Sequence, residues 1–278
     1  MTGTAQGPWK DGKPIAVILN ICLEAWSDGK APGISPMGNP LPAGALDTMA
    51  ISWAAYGVKR GIYRLLDVAA AHGAKASVMT SAIIAERAPK AVKAVAEAGH
   101  EVLSHSYSMD VIPALLSLDE QKRNIIRCTS LLERASGRRV VGWLSPRGTS
   151  GPDLPRLLSE AGYTWYGDVF DDDLPYIQDY GDGRRIVAIP LNTDVNDMPF
   201  MKYGNAPQTM CDAFEENLTI ARAKPGPHII DVTVHAHIFG RPRGASYFEK
   251  IVERAAASSD VWVATRGEIA QFLLAQDG

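Results

Sequence analysis

A histidine that follows a short apolar stretch is the first residue of this sequence that could do chemistry. Residues 99–110 read Gly-His-Glu-Val-Leu-Ser-His-Ser-Tyr-Ser-Met-Asp. Apolar residues at helical spacing over 88–98 end at Gly99, and residues 101–103 predict a strand that carries His105 at its carboxyl end. In barrels of alternating strands and helices, that end of the strands lines the active site. We therefore predict a functional His105, with a hydrogen-bonded structural histidine as the alternative.

A carboxyl group and an aromatic residue lie just beyond the first predicted strand. Residues 14–22 are apolar and β-branched, which predicts the strand, and Glu24 and Trp26 follow it. A carboxyl group against an aromatic face has a raised pKa, which suits a general base near neutral pH. A solvated loop glutamate is the alternative. Cys22, at the end of the strand, is either a nucleophile or, more often in such a place, a small inert hydrophobe.

Strand-like and helix-like segments alternate about seven times along the chain, which predicts a parallel, barrel-like sheet with outer helices in one domain, 1–278. Further strands are predicted at 74–80, 139–145, 163–167, 185–190, 229–235 and 261–264, and helices at 57–72, 118–135, 152–161, 208–223, 245–257 and 266–275. Residues 170–183 are acidic and rich in turn residues. Two long irregular segments, 23–43 and 192–206, are expected to cover the barrel mouth and bind substrate.

Composition and charge narrow the classes of function. The chain has 278 residues, of which 46% are hydrophobic and 21% charged, as in a globular protein with a sizeable core. Its net charge of −3 and the lack of a basic run make nucleic acid and anionic membrane unexpected partners. Three widely spaced cysteines and a start that lacks the pattern of a signal peptide lead us to expect a cytoplasmic protein.

A series of short motifs extends over most of the chain. They are Tyr56-Gly57-Val58-Lys59-Arg60-Gly61, Ala85-Glu86-Arg87, Gly99-His100-Glu101, Gly142-Trp143 with Pro146, Asp171-Asp172-Asp173, Asn196-Asp197 and His235-Ala236-His237-Ile238-Phe239-Gly240-Arg241-Pro242. The last of these is the most specific. Together they resemble the polysaccharide deacetylase (NodB-homology) family, and within it the allantoinase-like branch that includes cyclic imide hydrolases. The resemblance implies an α/β fold, a distorted (β/α)7 barrel, and hydrolysis of C–N bonds, in several members without a bound metal.

The resemblance also implies roles for individual side chains. His235 matches the histidine of the fifth motif, which acts as general acid toward the leaving group. The apolar residues of 229–235 predict a buried strand that aims His235 at the cleft as a partly exposed residue. His237 points to the same side of that strand by the two-residue period, so which histidine is the acid stays open. Trp26, His237 and Asn196 belong to the predicted substrate-binding set.

Two further residues of that set have a structural alternative. Arg147 follows the third motif, in which Leu144 replaces the usual arginine, so it either orients a carboxylate or pairs with an acid on the surface. Asp172 and Asp173 belong to an acidic run that is by default a solvated loop. The resemblance favours one of them, and we name Asp172, as a partner that holds His105 or Arg147.

The expected metal ligands are incomplete in this sequence. The second motif of the family supplies two histidines, and here the second position is Met109, a poor ligand for catalytic zinc. The first motif supplies paired carboxylates, and here the corresponding residues are Cys22 with either Glu24 or Leu23. We therefore predict that no tightly bound metal is required.

These observations favour a cytoplasmic hydrolase of small amides, cyclic imides or ureides. Glu24 would activate water, His235 would protonate the departing nitrogen, and His105 would hold the carbonyl oxygen or the water. One alternative is a metal-dependent (poly)saccharide deacetylase with a divalent ion such as Zn²⁺ held by Glu24 and His105. Another is a non-catalytic barrel protein. The expected partner is a small-molecule substrate, and a homo-oligomer is left open.

Overall fold

Strands and helices alternate in a computed structural model of the chain, which describes residues 2–4, 7–31, 41–42 and 44–276. The strands are β1 (Thr2–Thr4), β2 (Ile15–Leu23), β3 (Ser77–Thr80), β4 (Glu101–Ser104), β5 (Gly142–Trp143), β6 (Trp165–Tyr166), β7 (Tyr176–Asp179), β8 (Arg185–Ala188), β9 (Val195–Asn196), β10 (His228–His235) and β11 (Val261–Ala264). The helices are α1 (Thr48–Tyr56), α2 (Ile62–Ala71), α3 (Ile83–Arg87), α4 (Pro89–Glu97), α5 (Leu118–Ser136), α6 (Leu154–Glu160), α7 (Asp197–Lys202), α8 (Gln208–Ala223), α9 (Pro242–Ala257) and α10 (Arg266–Gln276). A single stretch of π-helix, Gly57–Gly61, joins α1 to α2.

The strands form one curled sheet in the order β1-β7-β8-β6-β5-β4-β3-β2-β10-β9. All pairings are parallel except those of β7, which is antiparallel to both β1 and β8. At β2 the sheet divides, because Ile15–Ile18 pair with β11 while Asn20–Leu23 pair with β3. The predicted α/β fold of the distorted barrel type is confirmed, with a sheet that curls as a half-barrel.

Side chains of β2 alternate between two apolar layers, and this alternation decides which residues reach the inside of the barrel. Ile15, Leu19 and the other odd-numbered residues pack in the layer that the sheet shares with helices such as α2, α4 and α9. Ala16, Ile18 and Cys22 belong to the second layer, with Trp9 and residues of α10. By the same two-residue period Glu24 falls on the inner side, directly beyond the carboxyl end of β2.

The same period brings residues from other strands to this edge. Leu103 of β4 belongs to the inner layer, so His105 two residues later faces inward as well. In β10, Val232 and Val234 pack on the outer layer, which leaves Thr233 and His235 on the inner face. Because parallel strands share one carboxyl edge, Glu24, His105 and His235 come together there although they are far apart in sequence.

Three segments differ from the sequence prediction. Residues 192–206, expected to be irregular, contain β9 and α7, and Asn196 caps α7 by accepting a hydrogen bond from the Met198 amide at 3.0 Å. The acidic stretch 170–183 contains β7, which pairs with β8. Residues 48–56 form α1, which apolar periodicity did not indicate. The 23–43 segment lies largely outside the described residues, since 32–40 and 43 are not among them.

Both ends of α5 have a recognisable cap. Ser117 and Glu120 form a reciprocal capping box at the start of α5, and Gly137 ends that helix in the left-handed conformation.

Over the described ranges no helix combines the length and hydropathy needed to span a membrane.

Candidate active site

One buried carboxylate lies at the centre of the site and faces three histidines. Glu24 Oε1 is 3.5 Å from His235 Nε2 and 3.6 Å from His105 Nε2, and Glu24 Oε2 is 3.9 Å from His237 Nε2. All four side chains are at least 90% buried. The structure therefore brings together the three predicted catalytic residues, Glu24, His105 and His235.

A second carboxylate fixes His235. Asp197, at the start of α7, is fully buried and lies 2.6 Å from His235 Nδ1. It also accepts the backbone N–H groups of His235 at 2.8 Å and Phe239 at 3.3 Å. With Nδ1 bound to Asp197, the ring presents Nε2 to Glu24 and to the cavity.

His105 is oriented by a backbone carbonyl. Its Nδ1 is 2.7 Å from the carbonyl oxygen of Leu144, just beyond β5. A carbonyl oxygen can only accept, so Nδ1 carries the hydrogen, and in the neutral ring Nε2 is an acceptor. This tautomer suits binding of a water molecule better than stabilisation of a carbonyl oxygen.

His237 occupies a different environment from the other two histidines. Its ring packs edge-on against Trp53 and Trp26, with centroids 4.6 Å and 5.7 Å away. Neither ring nitrogen has a hydrogen-bond partner among the described residues. Burial lowers the pKa of His237 to about 3, so the ring is neutral at physiological pH and is unsuited to protonating a leaving group. The geometry therefore favours His235 over His237 as the acid.

The charges of Glu24 and His235 stabilise each other. Burial acts to raise the pKa of Glu24, but the neighbouring histidines, foremost the charge of His235, outweigh it and lower the pKa to about 2. Burial acts to lower the pKa of His235, but the negative charges around it, among them those of Asp197 and Glu24, outweigh burial, so the pKa is well above the ordinary value. The raised pKa that the sequence suggested for Glu24 is wrong, because the neighbouring histidines dominate over Trp26.

These groups form the floor of a cavity of about 760 Å³ at the carboxyl edge of the sheet. Its wall is mostly apolar and rich in methionine. The lining residues outside the floor include Trp26, Met79, Met109, Leu144, Arg147, Phe170, Leu191, Asn192, Asn196, Met198, Met201 and Lys202. Such a volume is typical of a small-molecule site.

Most of the predicted substrate-binding residues lie at this cavity. Trp26, Arg147 and Asn196 line it. His237 is not among the lining residues, but its Nε2 is 3.9 Å from Glu24 Oε2. Asp172 does not line the cavity: it is exposed and accepts a hydrogen bond from the Leu174 amide at 3.0 Å within a turn. It is thus a solvated turn residue, as acidic runs usually are.

His235 differs from the prediction in its exposure. Only 7% of the residue is accessible, and its ring is paired with a fully buried carboxylate. The expectation of a partly exposed residue is therefore wrong, although His235 lines the cavity as predicted. Truncating it would leave Asp197 buried without its partner and would destabilise the fold as well as the site.

Two carboxylates of the site were missed from the sequence. Asp197 follows Asn196 in one of the sequence motifs, but only its position in space assigns it to His235. Asp168 lies two residues beyond β6, accepts the Ser145 amide at 2.6 Å, and has a buried Oδ2 without a partner among the described residues. The rule that selected His105, a polar residue directly after a strand, would have selected Asp168 too.

Three donors of the site could hold a metal ion. Ligand atoms of Cys22, Glu24 and His235 lie within 4.8 Å of one another. Thiolate, carboxylate and imidazole are zinc ligands, and His235 has the carboxylate partner on Nδ1 that ligating histidines usually have. The metal ligands suggested from the sequence were Glu24 and His105. In the structure Glu24 is instead grouped with Cys22 and His235. Burial raises the pKa of the Cys22 thiol more than the charge of His235 lowers it, which fits an unreactive thiol when no metal ion is bound.

Comparison with known families and proteins shows sequence similarity to polysaccharide deacetylases. The family model described as "Polysaccharide deacetylase" matches residues 55–166. A Schizosaccharomyces pombe protein named "Putative polysaccharide deacetylase" is 25% identical over 243 residues, which cover 78% of this chain and 73% of that protein.

Solved structures of similar proteins cover nearly the whole chain. The structure of Puue allantoinase superposes with a TM-score of 0.87 at 24% identity, covering 96% of this chain and 92% of the other. A Mycobacterium smegmatis structure described as "putative polysaccharide deacetylase" gives a TM-score of 0.84 at 27% identity, covering 99% of this chain and 96% of the other. The fold of this chain is that of these proteins.

Proposed function

We infer that the chain is a member of the polysaccharide deacetylase family and a hydrolase of carbon–nitrogen bonds other than peptide bonds. From this premise we propose that it cleaves a small amide, cyclic imide or ureide without a tightly bound metal. The main support is the ionised Glu24 between two histidines whose Nδ1 atoms are already bound. The 760 Å³ cavity and the methionine at the second histidine position of the metal motif support it further.

The first step of the proposed reaction is attack by water on the carbonyl carbon. Water held by Glu24 and by His105 Nε2 is aligned below the substrate, and Glu24 takes one of its protons as the new C–O bond forms. A carboxylate with a pKa of about 2 is a weak base in isolation. Here the proton is taken while negative charge develops on the carbonyl oxygen beside the protonated His235, which stabilises the transition state electrostatically.

Expulsion of the nitrogen is the second step. His235 Nε2 donates its proton to the leaving nitrogen as the C–N bond breaks, which yields the amine or amide product and a carboxylic acid. The proton on Glu24 then returns to His235 across the 3.5 Å that separates Oε1 from Nε2. Asp197 keeps the imidazole in the same tautomer throughout.

A second candidate is a metal-dependent deacetylase of an N-acetylated saccharide. The family match and the name of the S. pombe relative support it, and Cys22, Glu24 and His235 offer three zinc donors. A metal held there would polarise the substrate carbonyl and lower the pKa of bound water. The two candidates share the C–N bond chemistry and differ in the metal and in the size of the substrate.

One experiment separates the candidates. Protein purified without chelator is analysed for bound metal and assayed on succinimide, hydantoin, allantoin, N-acetylglucosamine and chitooligosaccharides. We expect hydrolysis of an imide or ureide that persists after chelation. Stoichiometric zinc that is lost in Cys22→Ser, together with metal-restored deacetylation of a saccharide, would overturn the metal-free proposal in favour of the second candidate.

The role of Glu24 is tested by Glu24→Gln. Removal of a positioned base is expected to lower kcat by roughly 10²–10⁴-fold. Glu253→Gln is the matched control, because Glu253 is exposed on α9 and away from the cavity, and it should retain full activity. Circular dichroism checks that both variants fold. Full activity of Glu24→Gln would contradict the proposal.

Location and partners stay predictions. We propose a cytoplasmic protein that acts on a small molecule and has no nucleic-acid or membrane partner. The unpaired state of Cys22, Cys128 and Cys211 supports a reducing compartment. Fractionation of the native host tests the location.

A further inference from the structure

We propose that the substrate carries a carboxylate, which Arg147 and Lys202 bind at the mouth of the cavity. The inference rests on the proposed function, since it concerns which small amide, imide or ureide the site accepts. Five observations carry it: the charge distribution in the cavity, two cations without a partner among the described residues, the backbone of Arg147, the hydrogen bonds of two asparagines and the apolar ring at the rim.

Charge is divided unevenly between the floor and the mouth. Glu24 is the sole acid among the described residues that line the cavity, and it is buried next to the histidines. Arg147 and Lys202 are exposed at the entrance, from two segments that are distant in sequence. Neither side chain has a hydrogen bond or ion pair with any residue in the described part of the chain. An anion at the entrance would therefore meet two uncompensated cations.

The chain holds Arg147 in a conformation that non-glycine residues rarely adopt. Its φ is +62°, between the buried Pro146 and Gly148, whose φ is +58°. A side chain on Gly148 would come within 2.8 Å of the Phe170 ring, so the loop lies directly on that ring. Left-handed residues of this kind persist where the surroundings fix them, and they are common at binding sites. Here the constraint fixes the starting point of the arginine side chain at the rim.

Two asparagines present donors to the same cavity. Asn192 Oδ1 accepts the Asp194 amide at 2.7 Å, and Asn196 Oδ1 accepts the Met198 amide at 3.0 Å. With both oxygens engaged, each side chain has an NH₂ group left to donate. Donors suit a substrate rich in acceptors, such as the carbonyl oxygens of an imide or ureide and the oxygens of a carboxylate.

An aromatic ring completes the entrance. Phe170 is 57% exposed and lines the cavity, next to Leu191. A flat apolar surface beside a cation fits a compact ring that bears a charged arm. We therefore infer a five- or six-membered cyclic amide with its carboxylate directed outward and its scissile bond over Glu24 and His235.

The test uses two ligands of equal size that differ in charge, hydantoin-5-acetic acid and hydantoin-5-acetamide. Binding of each is measured by calorimetry on Glu24→Gln, which separates recognition from turnover, and hydrolysis of each is measured on the wild type. We expect the acid to bind at least roughly tenfold more tightly than the amide, as a charge-assisted hydrogen bond allows. Arg147→Gln and Lys202→Gln, each combined with Glu24→Gln, should each remove most of this preference.

Matched controls and salt complete the design. Arg138→Gln and Lys122→Gln remove exposed charges that do not line the cavity and should leave the preference unchanged. The preference should shrink at 1 M salt, because exposed charges are screened. Equal affinity for the two ligands, failure of both to bind, or a preference that survives both cavity substitutions would overturn the inference. Preferential binding of the acid without hydrolysis by the wild type would support the inference and count against the proposed reaction.

Discussion

The direction in which each buried carboxyl group titrates is decided by its nearest neighbours. Glu24 and Asp168 both follow the carboxyl end of a strand, Glu24 after β2 and Asp168 after β6. Yet the pKa of Glu24 is lowered to about 2, and that of Asp168 is raised to about 6. Glu24 has three histidines close to its oxygens. For Asp168, burial has the largest effect on the pKa. It raises the pKa more than the hydrogen bonds from Ser145 and the charge of His105 lower it. The two groups therefore respond oppositely to pH.

Substitution of Asp197 is expected to shift the pH dependence of activity. Loss of its charge in Asp197→Asn removes one of the causes that raise the pKa of His235, so the acid loses its proton at lower pH. The alkaline limb of the kcat/KM profile should move to lower pH, with a loss in kcat of roughly 10²–10⁴-fold. Asp67→Asn, on the exposed face of α2, is the control. An unmoved alkaline limb would show that Asp197 is merely structural.

Asp168 is expected to reduce stability as pH rises. Its folded pKa of about 6 exceeds the ordinary 3.8, so its contribution is fully present below pH 3.8 and is lost as pH rises through 6. That difference corresponds to roughly 3 kcal/mol. Asp168→Asn has no group that titrates at this position, so its unfolding free energy does not show this loss. Urea denaturation should therefore show that the unfolding free energy of the variant rises relative to that of the wild type between pH 4 and pH 7.5. A constant difference across that range would contradict the raised pKa.

At the scale of elements, a close contact between the π-helix and the turn after β10 positions His235 and His237. Residues Gly57–Gly61 pack against the turn after β10, where a side chain on Gly61 would overlap the Ala236 carbonyl oxygen. Arg64 of α2 binds the Gly240 carbonyl oxygen from the same side. The glycines of this motif therefore have a steric cause: the backbones approach too closely for a Cβ atom.

Gly61→Ala is expected to damage both stability and activity. Relief of the overlap must push the turn away from α2 and move His235 and His237, at a cost of roughly 1–3 kcal/mol in unfolding free energy. Gly7→Ala is the matched control, because a Cβ atom there meets no atom within 4 Å. Thermal unfolding and kcat measure the two effects. Wild-type thermal stability and kcat in Gly61→Ala would mean that the turn can move away without cost and does not position the histidines.

At the scale of the whole molecule, one buried arginine connects distant parts of the chain on the inner side of the barrel. Arg266, at the start of α10, binds Asp231 of β10 at 2.7 Å, Asn20 of β2 at 2.9 Å and the Ile189 carbonyl oxygen at 3.0 Å. Asp231 in turn accepts the backbone amide of Asn192, which lines the cavity, at 3.2 Å. The network thus joins the closing helix to the loop that forms one wall of the site.

Arg266→Met is expected to lower the unfolding free energy by about 3–5 kcal/mol, because it leaves the Asp231 carboxylate buried without its partner. The double variant Arg266→Met/Asp231→Leu should recover part of this loss, since the Asp231 charge is then removed as well. Chemical denaturation of the wild type and both variants measures the effect. A single variant as stable as the wild type would show that Asp231 finds other partners.

Sequence periodicity determined which residues could reach the carboxyl edge of the sheet. The period of two in β2, β4 and β10 puts Glu24, His105 and His235 on the inner face, and the alternation of strands and helices predicts the barrel that brings those ends together. Most helix and strand positions follow from the same patterns. The capping residues of α5 follow from local chemistry alone.

Tertiary structure alone decided which of these residues touch. Asp197 and His235 are 38 residues apart and meet because α7 packs against the end of β10, which no local pattern encodes. Asp172, from an equally acidic segment, stays in solvent. The pKa of Glu24 depends on distances of 3.5–3.9 Å to three histidines from two strand ends. Coulomb interactions fall off with distance and strengthen with burial, and both quantities exist only once the elements have packed.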